Sequence, residues 1–249
     1  MWPRVPAPDR VIEKHGDHLP LGQDTIYIHR VCTLAAEKEA AMVFPFYYFG
    51  QILEAKHVPG TIAIHGDLLL PLLENVCDEI ARNGFHKVVI VNGHGGNNSM
   101  LPFFCQLQLD KHKPYVVYLS GLPGRDEAVE KVREAKVDGH GGEGETCSML
   151  HLRADLVKVD RFGSYGKPLG RADAFKRKGI SAGHWWYSDF PGHFAAEKVP
   201  LTAEKGRVFV EAHVRNIVEQ IQLIKSDDSP ITLYEEFHDR ATKPANRYP

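Results

Sequence analysis

The sequence predicts an α/β protein with three layers, α/β/α, in which the central sheet is mostly parallel. Short runs of β-branched and aromatic residues, at 88–91 and 115–119, are typical of strands buried on both faces. Amphipathic segments of helical length lie between these runs, and that alternation is typical of layered α/β folds. The first run leads into a glycine-rich turn at residues 92–98 and a helix-like segment at 99–112. It therefore ends at the sheet edge where such folds bind ligands.

Periodicity and capping signals predict the helices of the first half. One helix is predicted over residues 25–42, with Asp24 as its N-cap. Residues 66–83 place apolar side chains on one face, and Gly84 stands where a C-terminal glycine is expected. The charge run at residues 126–136 is typical of a solvent-facing helix.

The second half and the two ends of the chain give weaker signals. Glycines at 139–144 lead into an apolar helical run that ends near residue 150, and Thr202 caps a helix predicted to reach about residue 225. The proline-rich residues 1–10 are expected to be irregular, and no element is predicted in the polar tail beyond residue 226.

The segment 160–200 is rich in glycine, proline and aromatic residues. A connection of this length usually has a function, and we expect it to serve as a lid or a subunit contact. Because no linker and no repeat of domain size interrupts the chain, we predict one domain over residues 1–249.

Composition excludes several classes of partner. The chain has 249 residues and a formal net charge of -2, so we expect neither a nucleic-acid surface nor binding to anionic membranes. The four cysteines are scattered, no apolar run approaches the length of a membrane span, and the N-terminus lacks the core of a signal peptide. These features predict a cytoplasmic protein with reduced thiols.

Histidines and carboxylates cluster with glycines in three separate segments. These residues are Glu13, His15, Asp17, His18 and Asp24, then His94, then Asp138, His140, Glu143 and Glu145. A set of nitrogen and oxygen ligands without thiolate suits Zn, Mn or Fe. Since the supply exceeds the needs of one tetrahedral ion, we expect two divalent ions about 3.5–4 Å apart that share a carboxylate. Such a pair supports hydrolysis of an amide or a similar bond.

A second interpretation of the glycine-rich turn remains open at this point. Gly-His-Gly-Gly after a strand also fits a turn that binds phosphate at a helix N-terminus, in a non-catalytic phosphate- or ligand-binding α/β protein. No Lys or Arg lies within two positions of the glycines near His94 or His140, whereas phosphate sites usually recruit such residues. This absence favours metal.

The motifs resemble those of the creatininase family of dinuclear metal hydrolases. They occur in family order over most of residues 11–210. The matching stretches are Glu13-x-His15-Gly16-x-His18-Leu19-Pro20-Leu21-Gly22-x-Asp24, His57-x-Pro59-Gly60-Thr61, Asn92-Gly93-His94-Gly95-Gly96-Asn97, His140-Gly141-Gly142-x-x-Glu145-Thr146-x-Ser148 and Thr202-Ala203-Glu204-Lys205-Gly206.

The resemblance implies a ligand set. Glu13 and His94 would hold one metal, His15 and a later glutamate the other, and Asp24 would bridge the two. Creatininase itself has a metal-binding glutamate two positions after the histidine of Asn-Gly-His, where this chain has Gly96. We predict that Glu145 replaces this glutamate, with Glu143 as the second choice.

The resemblance also implies a reaction. A metal-activated hydroxide would attack the carbonyl of a small cyclic amide or a related small-molecule substrate, and His140 would protonate the departing nitrogen. Glu143 would assist this proton transfer. Ring-opening hydrolysis of a cyclic ketone in inositol breakdown, of the 3-dehydro-scyllo-inosose type, is the alternative activity. The family gives the catalytic apparatus and leaves the substrate open.

Further residues are predicted to shape the pocket. Tyr47, Trp185 and Trp186 are candidates for substrate contact because they lie in aromatic loops. His57 is either a substrate-binding residue or a hydrogen-bonded loop residue. By the same resemblance we expect a homo-oligomer, as in the hexamers of the family.

Overall fold

The central strand of the protein is β2 (Lys87–Asn92), whose six residues are all buried. In the computed structural model, which describes residues 5–9, 11–121, 126–163 and 166–244, it lies between β1 (Val5–Asp9) and β3 (Val116–Ser120). Both pairings are parallel, with Val5 opposite Val88 and Lys87 opposite Val116. The predicted α/β class with a parallel sheet is confirmed.

Alternate residues of β2 face two different hydrophobic clusters, because successive side chains of a strand point to opposite faces. Val89 and Val91 pack against helices α1 (Gln23–Lys38) and α8 (Ala203–Ser226). Val88 and Ile90 pack on the other face, against helices α2 (Gly66–Arg82) and α3 (Met100–Leu107). Helices therefore cover both faces of the sheet, as the three-layer prediction requires.

The remaining helices are short apart from the last one. They are α4 (Glu127–Val132), α5 (Glu143–Arg153), α6 (Asp173–Lys176), α7 (Trp185–Asp189) and α9 (Ser229–Thr242). Helix α5 packs directly on α8, and a Cβ at Gly206 would lie 1.8 Å from the Cys147 carbonyl oxygen. Gly206 therefore permits the close approach that fixes the start of α5, where two predicted site residues lie. Among the helices that the structure describes, none combines the length and apolar character needed to cross a bilayer.

The expectation of an irregular N-terminal segment is wrong, and the tail contains a helix for which no prediction was made. The segment predicted as irregular contains β1, an edge strand, where proline is tolerated because a missing N–H can face away from the sheet. The tail forms α9, of which only Tyr234 is buried. Its hydroxyl donates to the Gln108 carbonyl oxygen at 3.0 Å, a tertiary contact that periodicity does not reveal.

Helix α1 begins earlier than predicted, and Asp24 is not its N-cap. Gly22 occupies that position and Asp24 lies in the first turn, where its side chain is buried. The predicted helix at 126–136 is also shorter, since α4 ends at Val132, although Asp126 caps it by accepting from two backbone N–H groups. The carboxylate of Asp24 is instead directed at the carboxyl end of β2.

The connection between α5 and α8 returns along the loop that precedes α5. Asp138 and Ala196 form an antiparallel bridge, flanked by the hydrogen bond from Ala195 N to His140 O at 2.9 Å. This pairing holds the end of the 160–200 segment beside His140.

Candidate metal centre

Three segments of the chain converge at the carboxyl end of β2. The first is the loop after Val11, which folds back on itself through a hydrogen bond from Glu13 N to Leu21 O at 3.1 Å. The second is the turn that follows β2, and the third is the beginning of α5. Glu13, His15 and Asp24 are buried there, although charged side chains are rarely buried unless they are paired or bind a cation.

Asp24 lies between two histidines. Its Oδ1 is 3.1 Å from Nε2 of His15, and its Oδ2 is 3.2 Å from Nδ1 of His94. One carboxylate thus presents one oxygen to each imidazole, the arrangement that a carboxylate shared between two cations requires.

Glu13 completes the side of the centre that contains His94. Its Oε1 lies 2.9 Å from Nδ1 of His94 and 3.5 Å from Nε2 of His15. The other oxygen, Oε2, lies 2.9 Å from Nε2 of His193. The two oxygens of Glu13 therefore face different partners.

The far nitrogens of three histidines contact backbone carbonyl oxygens. Nε2 of His94 lies 2.9 Å from Gln51 O, Nε2 of His140 lies 2.6 Å from Lys14 O, and Nδ1 of His15 lies 3.4 Å from Glu13 O. A carbonyl only accepts hydrogen bonds, so each of these nitrogens carries the hydrogen. The opposite nitrogens face the centre, where a metal ion would bind them in place of a proton, as in metal-bound histidines.

Glu145 reaches the centre from the first turn of α5. Its Oε2 accepts from Gly141 N at 2.7 Å and lies 3.7 Å from Nε2 of His15. Gly141 has a φ of +72°, and a Cβ there would lie 2.9 Å from the Phe194 ring, so the turn that orients Glu145 needs a glycine.

Glu143 is directed away from the centre. Its carboxylate is fully buried, accepts from Lys205 Nζ at 2.7 Å and from Ala135 N at 2.8 Å, and ties α5 to α8. This placement argues against both predicted roles of Glu143, as a catalytic group and as the second-choice ligand. Glu143 and Glu145 lie on nearly opposite faces of α5, because residues two apart on a helix are separated by roughly half a turn.

The pKa values of the buried groups reflect how closely carboxylates and imidazoles lie together at the centre. Burial opposes ionisation of Glu13, but the positive charges of His15 and His94 lower its pKa to about 2. Burial also opposes a charge on His15, but Asp24, Glu145 and Glu13 raise its pKa to about 10. Burial raises the pKa of Glu145 to about 7, against the pull of His15. Protonated imidazoles thus supply the positive charge that the carboxylates need.

A divalent cation fits this donor set. Within the described part of the chain, Glu13 Oε1, His15 Nε2 and Asp24 Oδ2 are buried without an aligned hydrogen-bond partner. Glu13, Asp24 and His94 offer ligand atoms within 4.8 Å of one another, and so do His15, His140 and Glu145. These two groups share no residue, so the donor set divides into two candidate sites.

Nδ1 of His140 faces the centre but lies farther from the carboxylate of Glu13 than Nδ1 of His94 does. Its Nδ1 is 3.9 Å from Glu13 Oε1, and its ring lies 4.0 Å from the His15 ring between centroids. Burial and the neighbouring charge of His15 lower the pKa of His140 to about 3, so the imidazole is neutral near pH 7.

The four predicted pocket residues fall in different places. Trp186 lines the cleft above the centre, and its indole N–H donates to His193 at 2.8 Å. Trp185 packs on Phe175 instead. Tyr47 is buried in the hydrophobic cluster on the α2 face, so its predicted contact with substrate is not supported. His57 lies 2.9 Å from Pro191 O, in a second hollow beside the cleft, as the hydrogen-bonded alternative predicts.

The cleft has a volume of about 860 Å³ and extends from the centre toward α4 and α8. Its walls include Gln23, Tyr27, Glu54, Arg133, Asp138, Ser148, Trp186, His193, Phe209 and His213. It is large enough for a small-molecule substrate.

Comparison with known proteins identifies the family. The family model described as creatininase, creatinine amidohydrolase, matches residues 10–221. The chain belongs to the creatininase family. The creatinine amidohydrolase of Pseudomonas putida is 27% identical over 234 residues, which are 86% of this chain and 87% of that protein. The mycofactocin precursor peptide peptidase of Mycolicibacterium smegmatis is 32% identical over 166 residues, 64% of this chain and 62% of that protein.

A crystal structure of creatinine amidohydrolase shares the fold of this creatininase family member. It superposes with a TM-score of 0.72 at 23% sequence identity and covers 88% of this chain and 89% of the other. Solved creatininases include an Mn form and a variant of Zn-Zn type. Those metals agree with the ligand chemistry of the centre described above.

No role was predicted for His193. It belongs to the connection before α8, and its ring contacts Glu13 from 180 positions along the chain. The only available signal was local, a histidine after Pro-Gly in an aromatic segment.

Proposed function

We propose that this chain is a hydrolase with two divalent metal ions that cleaves an amide bond of a small, cyclic or related substrate. One observation carries the proposal: Asp24 presents one oxygen to His15 at 3.1 Å and the other to His94 at 3.2 Å. The membership of the chain in a hydrolase family supports it.

Each ion would have its own ligands besides the shared Asp24. Glu13 and His94 would hold one ion, and His15 and Glu145 the other, with Zn, Mn or Fe as candidates. Bound there, the ions would acidify a water molecule and polarise the substrate carbonyl. Glu13, His15 and Asp24 are buried, and each has a polar atom without a hydrogen-bond partner among the described residues. Bound cations would supply the missing partners, which supports this assignment.

His140 would transfer the proton. Its Nε2 hydrogen is committed to Lys14 O, so Nδ1 is the nitrogen that faces the centre. A neutral imidazole in this tautomer first takes a proton at Nδ1 from the attacking water and then donates it to the departing nitrogen. If the substrate were a cyclic ketone, the same atom would protonate the departing carbon.

The cleft would bind the substrate between Trp186 and α8. Trp186 offers an apolar wall, and Phe209 lines the far end together with Arg133 and His213. The volume of about 860 Å³ also accommodates substrates larger than a single five-membered ring.

A substrate panel tests the activity. The chelated protein is reloaded with Zn²⁺ or Mn²⁺ and assayed on creatinine, other cyclic amides, formamides, short peptides and a dehydro-inosose. We expect metal-dependent release of an amine or ammonia from one amide class. Turnover of the dehydro-inosose alone would establish the ring-opening alternative. A folded protein that binds phosphate but no metal would contradict the proposal and support a binding protein.

The proposal extends to the oligomeric state and the cellular location of the protein. We propose a cytoplasmic homo-oligomer, since family members form rings. Exposed apolar side chains such as Phe46, Phe103 and Leu107 support a subunit contact. Light scattering after size exclusion tests it: a mass several times 28.0 kDa is expected, and a monomer would contradict it.

A further inference from the structure

Three hydrogen-bonded side chains connect the cleft wall to Glu13, a predicted metal ligand. The indole Nε1–H of Trp186 donates to Nδ1 of His193 at 2.8 Å, and Nε2 of His193 lies 2.9 Å from Oε2 of Glu13. His193 and Glu13 are both buried, so water does not compete for these hydrogen bonds.

The chemistry of the two partners fixes the tautomer of His193. An indole nitrogen only donates, so Nδ1 of His193 must be the acceptor and carries no hydrogen. The ring hydrogen therefore lies on Nε2, where it donates to the Glu13 carboxylate. Both ring nitrogens of His193 are engaged in hydrogen bonds, so neither has a free lone pair for a cation.

This arrangement separates His193 from the three histidines that face the centre. His15, His94 and His140 each commit one nitrogen to a backbone carbonyl and leave the other for a ligand. Glu13, His140 and His193 also lie close enough together to form a third group of potential metal ligands. The hydrogen bond from Trp186 removes His193 from that group.

The backbone at His193 is held in an unusual conformation. Its φ of +51° makes it the sole residue other than glycine with a positive φ in the described part of the chain. This conformation is disfavoured for a residue with a Cβ. Local strain of this kind persists where the surrounding structure holds it, here through the pairing of Ala195 with His140.

We propose that His193 is a positioning residue for the metal centre. By donating to Oε2 of Glu13, it leaves Oε1 as the single oxygen that faces His94 and His15. Trp186 in turn holds His193 in the tautomer that can donate. This inference rests on the proposed function, because it assigns Glu13 as a ligand through one oxygen.

A consequence is that the metal centre and the cleft wall are coupled. Trp186 and His193 both line the cleft, and Trp186 belongs to α7 in the 160–200 segment. That segment would then act on the centre through the hydrogen bond from His193 to Glu13.

The experiment measures Zn²⁺ affinity by competition with a chromophoric chelator, in the full-length protein. His193→Phe keeps a ring without nitrogen atoms, His193→Gln keeps an N–H donor, and Trp186→Phe removes the indole donor. Trp185→Phe is the matched control, because Nε1 of Trp185 has no hydrogen-bond partner within the described residues. Both replacements at position 193 are less suited than His to this positive φ, so the comparison of His193→Phe with His193→Gln tests the N–H donor.

We expect His193→Phe to weaken binding of one of the two ions by about 10–100-fold, the usual cost of removing a partner that orients a ligand. His193→Gln should recover most of this loss, Trp186→Phe should show a smaller loss, and Trp185→Phe should bind like the wild type. In ¹⁵N spectra of the Zn-loaded wild type, His193 should be protonated at Nε2 alone.

Each contrary result has a distinct meaning. If the wild type binds two ions and His193→Phe binds them equally well, the inference fails while the proposed function stands. Protonation of His193 at Nδ1 would also overturn it. If the wild type binds no ions, the proposed function fails first. Should His193→Phe not fold, Trp186→Phe and the ¹⁵N spectra still decide.

Discussion

Oδ2 of Asp24 lies 3.2 Å from Nδ1 of His94, and the other oxygen of the same carboxylate lies 3.1 Å from Nε2 of His15. Nε2 of His94 donates a hydrogen to Gln51 O, so Nδ1 is the nitrogen that faces Asp24. Burial opposes a charge on His94, but Glu13 and Asp24 raise its pKa, so Nδ1 carries a proton that a bound cation would replace. The short contact between Asp24 and His94 therefore marks a position where a metal ion can bind.

Removal of the shared carboxylate should empty the whole centre. Asp24→Asn keeps the side-chain volume but places an amide, partly a donor, between His15 and His94. We expect both ions to be lost together, with Zn²⁺ affinity more than about 100-fold weaker and hydrolysis abolished. Plasma emission spectrometry of the purified protein measures the metal content.

Asp17→Asn is the control for this substitution. Asp17 lies in the same loop, is 69% exposed and pairs with Lys14 at the surface. It should keep both ions. A full metal complement in Asp24→Asn would show that Asp24 is not a ligand.

The same substitution at two positions of α5 should have opposite effects. Glu145→Gln removes a carboxylate 3.7 Å from His15 and should lose one ion with little change in stability. Glu143→Gln should keep both ions but lower the free energy of unfolding by about 1–3 kcal/mol, because Lys205 and two backbone N–H groups lose a charged acceptor. Urea unfolding of the chelated proteins and metal analysis separate the two outcomes. Metal loss in Glu143→Gln alone would reverse the assignment.

A side chain at Gly96 should disturb the centre. A Cβ there would lie 2.4 Å from both Glu54 Oε1 and His94 Nε2, and 2.8 Å from Gln51 O. Gly96→Ala should therefore displace His94, weaken metal binding and destabilise the protein by about 1–3 kcal/mol. A glutamate at this position would meet the same three atoms through its Cβ.

Gly95→Ala provides the comparison, since nothing lies within 4 Å of a Cβ at Gly95. It should match the wild type in stability and in metal affinity. Equal behaviour of the two alanine variants would mean that the backbone adjusts easily around position 96.

Metal affinity should rise with pH. The negative charges of Asp24, Glu145 and Glu13 overcome burial and raise the pKa of metal-free His15 to about 10, so a bound proton must leave before the nitrogen can bind metal. Burial opposes a charge on His94, but Glu13 and Asp24 raise its pKa, which adds a second proton. Burial raises the pKa of Glu145 to about 7, which adds a third proton below neutral pH. The apparent affinity should increase about tenfold per pH unit for each proton displaced, more steeply below pH 7 than above it.

Calorimetric titration with Zn²⁺ at pH 6, 7 and 8, in buffers of different ionisation enthalpy, counts the released protons. Unfolding measurements at each pH provide the control that the protein remains folded. Affinity that does not change over this range would contradict the assignment of His15 as a ligand.

Much of the fold was predictable because it follows local rules. Four consecutive β-branched residues identified β2, and the periodicity of residues 66–83 identified α2 almost to its ends. Strand β1 was missed because Pro6 and Pro8 argue against a strand except at a sheet edge, which is a tertiary property. Helix α9 was missed because a single buried residue, Tyr234, gives no periodic signal.

The site was predictable where a motif carries the chemistry. The resemblance to creatininases named Glu13, His15, Asp24, His94 and Glu145 as ligands, and the structure brings these five residues together. It ranked Glu145 above Glu143 without excluding Glu143, since both lie in one helical turn and only packing against Lys205 distinguishes them. His193 has no motif, because its role depends on contacts with Trp186 and Glu13 that only folding creates.

The central claim is that side chains from three segments hold two ions around Asp24. Anomalous diffraction from crystals grown with Zn²⁺, collected on both sides of the zinc edge, tests it most directly. We predict two peaks per chain about 3.5–4 Å apart, one beside Glu13 and His94 and the other beside His15 and Glu145. Zinc found only elsewhere in the crystal, with His15 and His94 still in contact with Asp24 and no peak between them, would contradict the account.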